Sequence, residues 1–465
     1  MIEMFVGTTY LHSELPRRVF MLCCLTGIQS VARRTLVLLA VILIAPGCVS
    51  DQTSGPKSSE EGKPGAKSLD LGFLVFGDTG YHIDYIEEED YTPPKSSYEE
   101  FVAAERREWI EDVKPIEDFV PAPALYLEDK KSYVVASGMD PVAASMKSYC
   151  KAASCKFGIM LGDNIYPDGA TLGADGHDDT LRFDRLFTQP YSKLGQGVEN
   201  FRIYVTLGNH DWRTSRAGAL AQLHFMETTP PFYMDGLFYK VSPPSGGGEI
   251  ELFVVDTTLM LGGETVKETE LNADGSERVT DEIEEFEPWT APANEGERNM
   301  VSWLEKALRE SNARWKFVVG HHPIWSTGGS KFEQARVLRK LLLPSLCRYA
   351  DAYFVGHEHT LEVHEDSCES VFGSAKARPL VEVLSGAAAK QRGVNSAFQA
   401  FQSATNPTNT TLFTKGMIWG FAHMQVNGDQ ARVTLLTTPE SGDGEAVEVF
   451  SHEFSRRSGA TDASL

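Results

Sequence analysis

Short apolar runs that stop at a glycine, followed at once by a polar residue, recur along the chain. Runs of this kind, without alternating polar positions, are typical of strands buried on both faces of a sheet. Five such segments are LGFLVFGDTG (71–80), FGIMLGDNIY (157–166), IYVTLGNHDW (203–212), KFVVGHHPIW (316–325) and YFVGHEHT (353–360). The pattern therefore predicts five buried strands whose carboxyl ends each carry polar side chains.

Between the predicted strands, apolar residues recur at the spacing of an amphipathic helix. This spacing predicts helices in ERNMVSWLEKALRESN (297–312) and FEQARVLRKLLLPSL (332–346). Strands that alternate with helices indicate a layered α/β fold, in which ligands bind at the carboxyl ends of the strands. We therefore expect the five polar clusters to share one rim. Further strands, which would complete a second sheet, are predicted in ELFVVDTTL (251–259), LVEVLSG (380–386), GFAHMQV (420–426) and ARVTLLTT (431–438).

The folded domain is predicted to span residues 69–453. Two segments inside it, about 82–147 and 262–296, are rich in acidic residues and show no clear periodicity, so we expect them to be long surface insertions. Residues 454–465 are predicted to form a disordered tail.

Residues 1–48 resemble an export signal. An apolar run from Leu36 to Ala45 follows two arginines and is too short to span a bilayer, which takes about 20 residues. Cys48 after this run resembles a bacterial lipobox, which predicts a membrane-anchored lipoprotein in the periplasm or at the cell surface. If Cys48 is incidental, the run is a plain signal peptide and the protein is secreted. Residues 49–68 are rich in Ser, Gly, Pro, Lys and Glu and predict a flexible tether.

The net charge of the chain limits the classes of binding partner. The net charge of −22 argues against nucleic acid, or an anionic membrane surface, as the main partner. A phosphorylated substrate stays compatible with this charge, because bound metal ions can reverse the local field.

Outside the export signal, proximity in sequence suggests the disulfides Cys150–Cys155 and Cys347–Cys368, with four free thiols as the open alternative.

The polar residues that end the five strands combine carboxylates, an amide, imidazoles and a phenol. Residues i and i+2 of an extended chain point to the same side, so His357 and His359 can converge on one point while Glu358 faces away. Oxygen ligands mixed with nitrogen ligands suit Fe, Mn or Zn, and the set is larger than one ion needs. Two ions bridged by a carboxylate would use it, activating water as hydroxide and clamping the attacking and leaving oxygens of a phosphoryl group.

These motifs, in this order, resemble those of the calcineurin-like metallophosphoesterases and, more narrowly, of the purple acid phosphatases of the small tartrate-resistant type. They stand here as Asp78-Thr79-Gly80, Gly162-Asp163-Asn164-Ile165-Tyr166, Gly208-Asn209-His210-Asp211, Val318-Val319-Gly320-His321 and Gly356-His357-Glu358-His359. The resemblance covers roughly residues 70–440 without the two insertions. It implies a four-layer α/β/β/α sandwich, with two mixed sheets flanked by helices. It also implies a dinuclear-metal enzyme that hydrolyses phosphomonoesters by attack of metal-bound hydroxide, with a phosphorylated small molecule or a phosphopeptide as substrate.

The resemblance further implies a role for each matching residue. The first metal, ferric iron in purple members, would be held by Asp78, Tyr166 and His359, with Asp163 bridging to the second. The second metal, which would be Fe(II), Zn or Mn, would be held by Asn209, His321 and His357. His210 would bind the phosphate and protonate the leaving group as general acid.

Three further residues have supporting roles in this prediction. Asp211 is expected to support its loop or His210 rather than bind metal. His322 either contacts the substrate or packs against its neighbours, and Arg213 is a candidate to bind the negative charge of the substrate.

The sequence departs from the family at one place. Small acid phosphatases usually carry another histidine shortly after the H-x-P segment, and HHPIWSTGGSKFE (321–333) has none. This puts the substrate-side acid and an acidic pH optimum in doubt, without touching the metal ligands.

Other functions fit parts of the pattern. A phosphodiesterase, or a Mn-dependent non-purple member of the superfamily, would keep the metal site. A metal-containing surface binding protein, or a redox protein that makes reactive oxygen from an iron pair, would use the same ligands without hydrolysing phosphate esters.

Overall fold

The structure, a computed structural model, describes residues 69–85, 93–112, 114–271, 277–328, 332–375, 378–439 and 445–457. The predicted export signal (1–48) and tether (49–68) lie outside the described residues. The strands, in chain order, are β1 Asp70–Phe76, β2 Ala124–Leu127, β3 Ser132–Val135, β4 Cys155–Met160, β5 Ile203–Val205, β6 Phe232–Tyr233, β7 Tyr239–Val241, β8 Ile250–Val254, β9 Lys267–Leu271, β10 Glu277–Ile283, β11 Trp315–Val319, β12 Ala352–Val355, β13 Leu361–Asp366, β14 Leu380–Ser385, β15 Asn409–Lys415, β16 Trp419–Asn427, β17 Gln430–Thr438 and β18 Val447–Ser455.

Helices connect many of these strands. Their bounds are α1 Tyr98–Glu111, α2 Met139–Ala153, α3 Asp179–Phe183, α4 Gln189–Tyr191, α5 Asn209–Trp212, α6 Arg216–Thr228, α7 Thr257–Gly262, α8 Glu295–Arg298, α9 Met300–Glu310, α10 Phe332–Tyr349, α11 Glu369–Phe372 and α12 Ser396–Thr405.

Two seven-stranded mixed sheets form the centre of the fold. The first has the order β18-β17-β16-β1-β4-β5-β6, and the second has the order β15-β13-β14-β12-β11-β8-β7. Strands β1, β4, β5 and β6 run parallel in the first sheet, as do β8, β11, β12 and β14 in the second. Antiparallel strands complete both sheets at their edges. The carboxyl ends of the parallel strands therefore lie on one edge of each sheet.

Buried aromatic side chains join the two sheets. Phe73 of β1 stacks on Phe157 of β4, with ring centroids 4.4 Å apart. Across the interface Phe73 lies 5.7 Å from Phe317 of β11 and 6.0 Å from Phe354 of β12. Helix α2 packs against β16 and β17 of the first sheet, and α9 packs against β8 of the second. The predicted four-layer α/β/β/α sandwich is confirmed. The expectation that 420–426 and 431–438 complete a second sheet is wrong, because β16 pairs with β1 and both strands lie in the first sheet.

Part of the predicted insertion at 82–147 belongs to the core. Helix α2 begins at Met139, and the side chains of Met139, Val142 and Met146 are buried beneath it. This helix follows α1 and the hairpin β2–β3, whose mixed exposure hides any single period in the segment. The second predicted insertion, 262–296, holds the separate hairpin β9–β10 and the short helix α8.

The fold also continues past the predicted domain end at residue 453. Strand β18 reaches Ser455 and pairs with β17 at the edge of the first sheet. Arg457 then donates its backbone N–H to Asp351 Oδ1 at 2.6 Å. The predicted tail therefore begins inside this strand. An edge strand leaves much of its surface to solvent, so its polar residues gave little sign of a sheet.

Both disulfides that proximity in sequence suggested, Cys150–Cys155 and Cys347–Cys368, are formed. The first joins the end of α2 to the start of β4, and the second joins α10 to the residue before α11. Among the helices of the described ranges, none combines the length and the apolar character needed to cross a bilayer.

Candidate metal centre

The predicted ligands lie in the segments that follow the carboxyl ends of parallel strands. Asp78 follows β1, Asp163 follows β4 and Asn209 follows β5, all in the first sheet. His321 follows β11, and His357 follows β12, in the second sheet. Because the sheets pack face to face, these segments meet at a common rim, as the strand pattern predicts.

The first ligand group consists of Asp78, Asp163, Tyr166 and His359. The phenol oxygen of Tyr166 lies 3.0 Å from Asp78 Oδ1, 2.8 Å from Asp163 Oδ2 and 3.0 Å from His359 Nε2. His359 Nε2 lies 3.4 Å from Asp78 Oδ1. All four side chains are buried, so four oxygen and nitrogen atoms converge on one enclosed point.

The second ligand group consists of Asp163, Asn209, His321 and His357. Asn209 Oδ1 lies 3.2 Å from His321 Nε2 and 3.0 Å from His357 Nδ1, and these two nitrogens are 3.2 Å apart. His321 Nε2 lies 3.3 Å from Asp163 Oδ1. Asp163 thus offers Oδ2 to the first group and Oδ1 to the second, which is the geometry of a bridging carboxylate.

Four ligands sit on a left-handed backbone. The φ angles are 58° at Asp78, 52° at Asp163, 74° at His357 and 49° at His359. Such conformations cost residues other than glycine about 1–3 kcal/mol each and persist only where the surroundings fix them. Here Asp78 donates its backbone N–H to Gly162 O at 3.0 Å, and His357 donates its own to Asp78 Oδ2 at 2.8 Å. The tight turns aim the side chains into the rim. His357 and His359 therefore do not lie on an extended chain, and they enter different ligand groups rather than converging on one point.

The buried carboxylates of the site carry negative charge that a bound cation would neutralise. His321 Nδ1 lies 2.8 Å from the carbonyl of Leu161, to which it donates, so Nε2 faces the ligand group. Burial opposes a charged imidazole, but Asp163 and Asp78 outweigh it and raise the pKa of His321 to about 9. Burial also raises the pKa of Asp78 to about 7, with Asp163 adding to the rise. The negative charge of the two carboxylates thus favours the protonated form of His321. A bound metal ion would neutralise the same negative charge.

The spacing of both groups fits bound metal ions. Ligand atoms about 2.1 Å from one ion and at right angles to each other lie roughly 3.0 Å apart. The measured separations run from 2.8 Å to 3.4 Å. Carboxylate, amide, phenol and imidazole donors without thiolate suit Fe, Mn or Zn. The residues present therefore fit a pair of such ions.

His210 faces the centre without belonging to either group. Its Nδ1 lies 2.5 Å from the carbonyl of Pro167, and its Nε2 lies 4.0 Å from Asp163 Oδ2. Burial lowers the pKa of His210 to about 3, and the nearby Arg213 and Lys390 lower it further against the opposing charge of Asp163. The ring is thus held by one nitrogen and presents the other to the centre.

Asp211 holds two of the ligand turns together. Its carboxylate accepts the backbone N–H groups of Gly208, Asn164 and Ile165 at 2.8, 3.0 and 3.1 Å. Gly208 is needed at this crossing, because a Cβ atom there would lie 2.2 Å from Asp163 Oδ1. Asp211 thus lies between the two turns and outside both ligand groups.

The other two candidates flank the groups. The ring of His322 lies 4.4 Å from that of His357, and a nitrogen of His322 is within 4.8 Å of nitrogens of His321 and His357. His322 Nδ1 also lies 2.8 Å from Thr257 Oγ1, and the side chain is buried. Arg213 is partly exposed at the rim and lies 3.8 Å from Asp168.

Sequence reasoning missed two cations beside the site. Lys390 Nζ lies 4.5 Å from the ring centroid of Tyr166. Arg392 donates to Glu358 Oε2 at 2.6 Å, and its backbone N–H donates to His359 O at 3.1 Å. The signal was available, because both follow LVEVLSG (380–386), another apolar strand that stops at a glycine. Glu358 faces away from the ligands as expected, but it is buried in this ion pair.

A rim at which two mixed sheets bring together paired oxygen and nitrogen ligands is the architecture of a metal-dependent phosphoesterase. Residues 73–361 match the family described as Calcineurin-like phosphoesterase. The chain belongs to this family, whose members bind two metal ions, and it is a metal-dependent phosphatase.

More narrowly, the predicted resemblance to purple acid phosphatases is confirmed. Purple acid phosphatase 4 of Arabidopsis thaliana is 27% identical over 296 residues, which cover 63% of this chain and 74% of that protein. Purple acid phosphatase 3 of the same plant is 32% identical over 235 residues, which cover 49% of this chain and 55% of that protein. The chain therefore spans only part of the length of these curated relatives.

Two solved structures align with most of the chain at low sequence identity. GAP50, the anchor in the inner membrane complex of Plasmodium, aligns with a TM-score of 0.48 and 14% identity, covering 84% of this chain and 91% of that one. A dimetal phosphatase from Danio rerio aligns with a TM-score of 0.41 and 11% identity, covering 82% of this chain and 99% of that one.

Proposed function

We propose that the chain hydrolyses phosphomonoesters at a dinuclear metal centre, in the manner of the purple acid phosphatases. One observation carries the proposal: Asp163 offers one oxygen to each of two ligand groups, and the phenol of Tyr166 completes the first group. A shared carboxylate supports a pair of ions rather than a single ion. The phenol supports ferric iron as one of them.

In this proposal Asp78, Tyr166 and His359 would hold the first ion, Fe(III), and Asp163 would be shared with the second. Asn209, His321 and His357 would hold the second ion, which would be Fe(II), Zn or Mn. Bound there, the ions supply Lewis-acid activation of water and neutralise phosphoryl charge. The chain contributes ligands whose positions are fixed by the turns at the strand ends.

His210 would act on the phosphate and the leaving oxygen. The carbonyl of Pro167 holds its Nδ1–H, so Nε2 is the atom that can carry a proton towards substrate. Burial keeps the pKa of His210 low, but a phosphate dianion within hydrogen-bond reach favours the charged imidazolium. The proton would then pass from Nε2 to the leaving oxygen. We expect His210→Ala to lower kcat by about 10²–10⁴-fold.

Two cations supply positive charge on the same side. Lys390 Nζ lies 4.5 Å from the ring centroid of Tyr166, which lies 4.2 Å from that of His210, and Arg213 is three residues along the chain from His210. An anionic phosphate bound there would be attracted by all three side chains. This grouping supports a substrate with a dianionic phosphate, which is a monoester rather than a diester.

The segment after His322 offers no replacement for the histidine that small acid phosphatases carry. Thr327 donates its hydroxyl to Glu362 at 2.9 Å, and Ser326 Oγ lies 3.5 Å from Glu358 Oε1. Both hydroxyls are therefore engaged with buried carboxylates. Phosphodiesterase activity stays the alternative that a comparison of substrates must separate.

We also propose that the protein is exported and anchored to the membrane through Cys48. The apolar run from Leu36 to Ala45 supports export, and so do the two disulfides, since disulfides persist in oxidising compartments. Mass spectrometry of the mature protein tests this. A lipid-modified Cys48 at the new amino terminus would support anchoring, whereas an unmodified terminus elsewhere would indicate plain secretion.

Metal content and the visible spectrum of the full chain test the central proposal. We expect two metals per chain, at least one of them iron, and a broad visible band that is lost in Tyr166→Phe. Tyr239→Phe is the matched control, because Tyr239 is also buried and its hydroxyl donates to Val205 O at 2.9 Å. The control should keep both the band and the metals.

Rates on p-nitrophenyl phosphate and on bis(p-nitrophenyl) phosphate then separate the alternatives. Faster monoester hydrolysis supports the proposal, and faster diester hydrolysis supports a phosphodiesterase. Two colourless metals would move the protein to a Mn or Zn enzyme of the wider family. Failure to bind metal on reconstitution would overturn the mechanism and favour a surface binding protein.

A further inference from the structure

A cluster of lysines lies far from the metal centre, on the first-sheet side of the domain. A cavity of about 370 Å³ is lined by Lys147, Lys151, Lys156 and Lys193, which we call the lysine patch. The remaining lining residues are uncharged. This is unusual in a chain with 65 acidic residues against 43 lysines and arginines. Among the residues that the structure describes, no acidic one lines the cavity.

Nothing within the described part of the chain neutralises the lysine patch. Lys147 and Lys151 are one turn apart on α2, Lys156 lies on β4, and Lys193 follows α4. Three of the four are exposed, and no ion pair to a described residue is formed by any of them. Like charges one helical turn apart repel each other by a few tenths of a kcal/mol. An anion bound across the cavity would remove that repulsion.

The lysine patch sits on the edge opposite the metal centre. Strand β4 begins at Cys155, beside Lys156, and ends just before the turn that carries Asp163. A strand of this length spans roughly 20 Å. An object that covers the lysine patch would leave the metal centre open to substrate.

The same edge is where the preceding chain enters the domain. Leu69 leads into β1, and Gly72 of β1 is paired with Cys155 at the start of β4. Residues 49–68 separate this point from Cys48, and 20 residues can span at most about 70 Å. The chain that precedes Leu69 therefore joins the domain at the edge that carries the lysine patch.

We propose that the lysine patch docks the domain on an anionic lipid bilayer, with the metal centre facing away from the membrane. The net charge of −22 disfavours free approach to such a surface, but attachment through the preceding segment holds the domain nearby. Within about 10 Å of the bilayer, the local charge of the lysine patch decides the orientation. A bilayer is favoured over a small anion because three of the lysines are exposed on one edge rather than enclosed.

Vesicle binding of the full chain tests the proposal. The protein is sedimented with phosphatidylcholine vesicles containing either no phosphatidylglycerol or 30% of it, so that the apolar segment contributes equally to both. We expect tighter binding to the anionic vesicles, and a loss of at least about tenfold of that binding in K147E/K151E/K193E, since each lysine is worth roughly fivefold. Binding to neutral vesicles and hydrolysis of p-nitrophenyl phosphate should be unchanged.

The matched control reverses three exposed lysines elsewhere, in K130E/K306E/K340E. It should keep most of the preference for anionic vesicles. The proposal is overturned if this control loses as much binding as the lysine-patch variant, because the effect then reflects total charge. It is also overturned if the lysine-patch variant binds anionic vesicles as tightly as the wild type. Lysine-dependent dimers without lipid, seen by sedimentation velocity, would instead assign the lysine patch to a second copy of the chain.

Discussion

Replacing Asp211 with asparagine tests how two ligand turns are held together. Its Oδ2 accepts the backbone N–H of Gly208 at 2.8 Å and the side-chain amide of Asn164 at 3.1 Å. Its Oδ1 accepts the backbone N–H groups of Asn164 at 3.0 Å and Ile165 at 3.1 Å. An asparagine side chain has one acceptor oxygen, so two of these donors would face an NH₂ group.

The structure sets the size of the effect. Each buried donor left without an acceptor costs about 1–3 kcal/mol, so Asp211→Asn should lower the free energy of unfolding by about 2–6 kcal/mol. The same change weakens the contact between the segment that carries Asn209 and the turn that carries Asp163. We therefore expect affinity for the second metal to fall by about 10–100-fold, which is the usual effect of losing support behind a ligand.

Urea denaturation and metal content after dialysis measure the two effects. Asp256→Asn is the matched control, since Asp256 is buried and accepts Trp212 Nε1 at 2.9 Å on one oxygen and the N–H of Leu259 at 3.0 Å on the other. One donor would lose its acceptor there, so the control should lose about 1–3 kcal/mol and keep both metals. Wild-type stability and wild-type metal content in Asp211→Asn would refute the reasoning.

Three further predictions follow from other parts of the fold. Removing the disulfide Cys347–Cys368 with Cys347→Ala and Cys368→Ala should lower the free energy of unfolding by about 3 kcal/mol, because the disulfide restricts the unfolded chain. Removing Cys150–Cys155 in the same way should lower it by about 2 kcal/mol, because that disulfide closes a shorter loop. Equal losses in urea denaturation would contradict this prediction. Burial lowers the pKa of His423 to about 4, whereas the same side chain in the unfolded chain has the ordinary histidine pKa of about 6.5. Between these two pH values, mainly the unfolded chain carries a proton on His423. Stability from this group is complete above about pH 6.5 and is lost as the pH falls towards 4, by about 3 kcal/mol in all, and His423→Gln should flatten that part of the stability–pH curve. Lys390→Met should raise KM for p-nitrophenyl phosphate by about tenfold with little change in thermal stability, because it removes a cation beside His210; an unchanged KM would place Lys390 outside the substrate site.

The metal ligands could be predicted from the sequence because each obeys a local rule. Asp78, Asp163 and His321 come directly after apolar runs, and the topology of parallel strands then brings them to one rim without further information. Lys390 lies five residues beyond the end of its strand, in a loop whose path depends on contacts elsewhere. One such contact is the bond from Gly138 N to Ala389 O, made by the residue that precedes α2.

Buried polar residues were harder to predict. The strand sequence LEVHED (361–366) alternates apolar and charged residues, which is typical of a strand with one face in solvent. In the structure Glu362 and His364 are buried, with His364 Nε2 2.8 Å from Glu362 Oε2. Their burial depends on the segment around Thr327, whose backbone N–H donates to Glu362 at 2.9 Å. No periodicity within the strand itself contains that information.

These buried carboxylates bear on the missing histidine of the 321–333 segment. Glu382 accepts the backbone N–H groups of Ile324 and Trp325 at 3.1 and 3.0 Å, and Glu362 accepts that of Thr327. The described residues 324–327 are therefore held through three of their backbone N–H groups. Positive charge near His210 comes instead from Arg213 and Lys390. Burial lowers the pKa of Lys390 to about 7, so the positive charge that Lys390 offers to a phosphate falls as the pH rises through 7. We therefore expect KM for p-nitrophenyl phosphate to rise between about pH 6 and about pH 8, and this rise to be smaller in Lys390→Met.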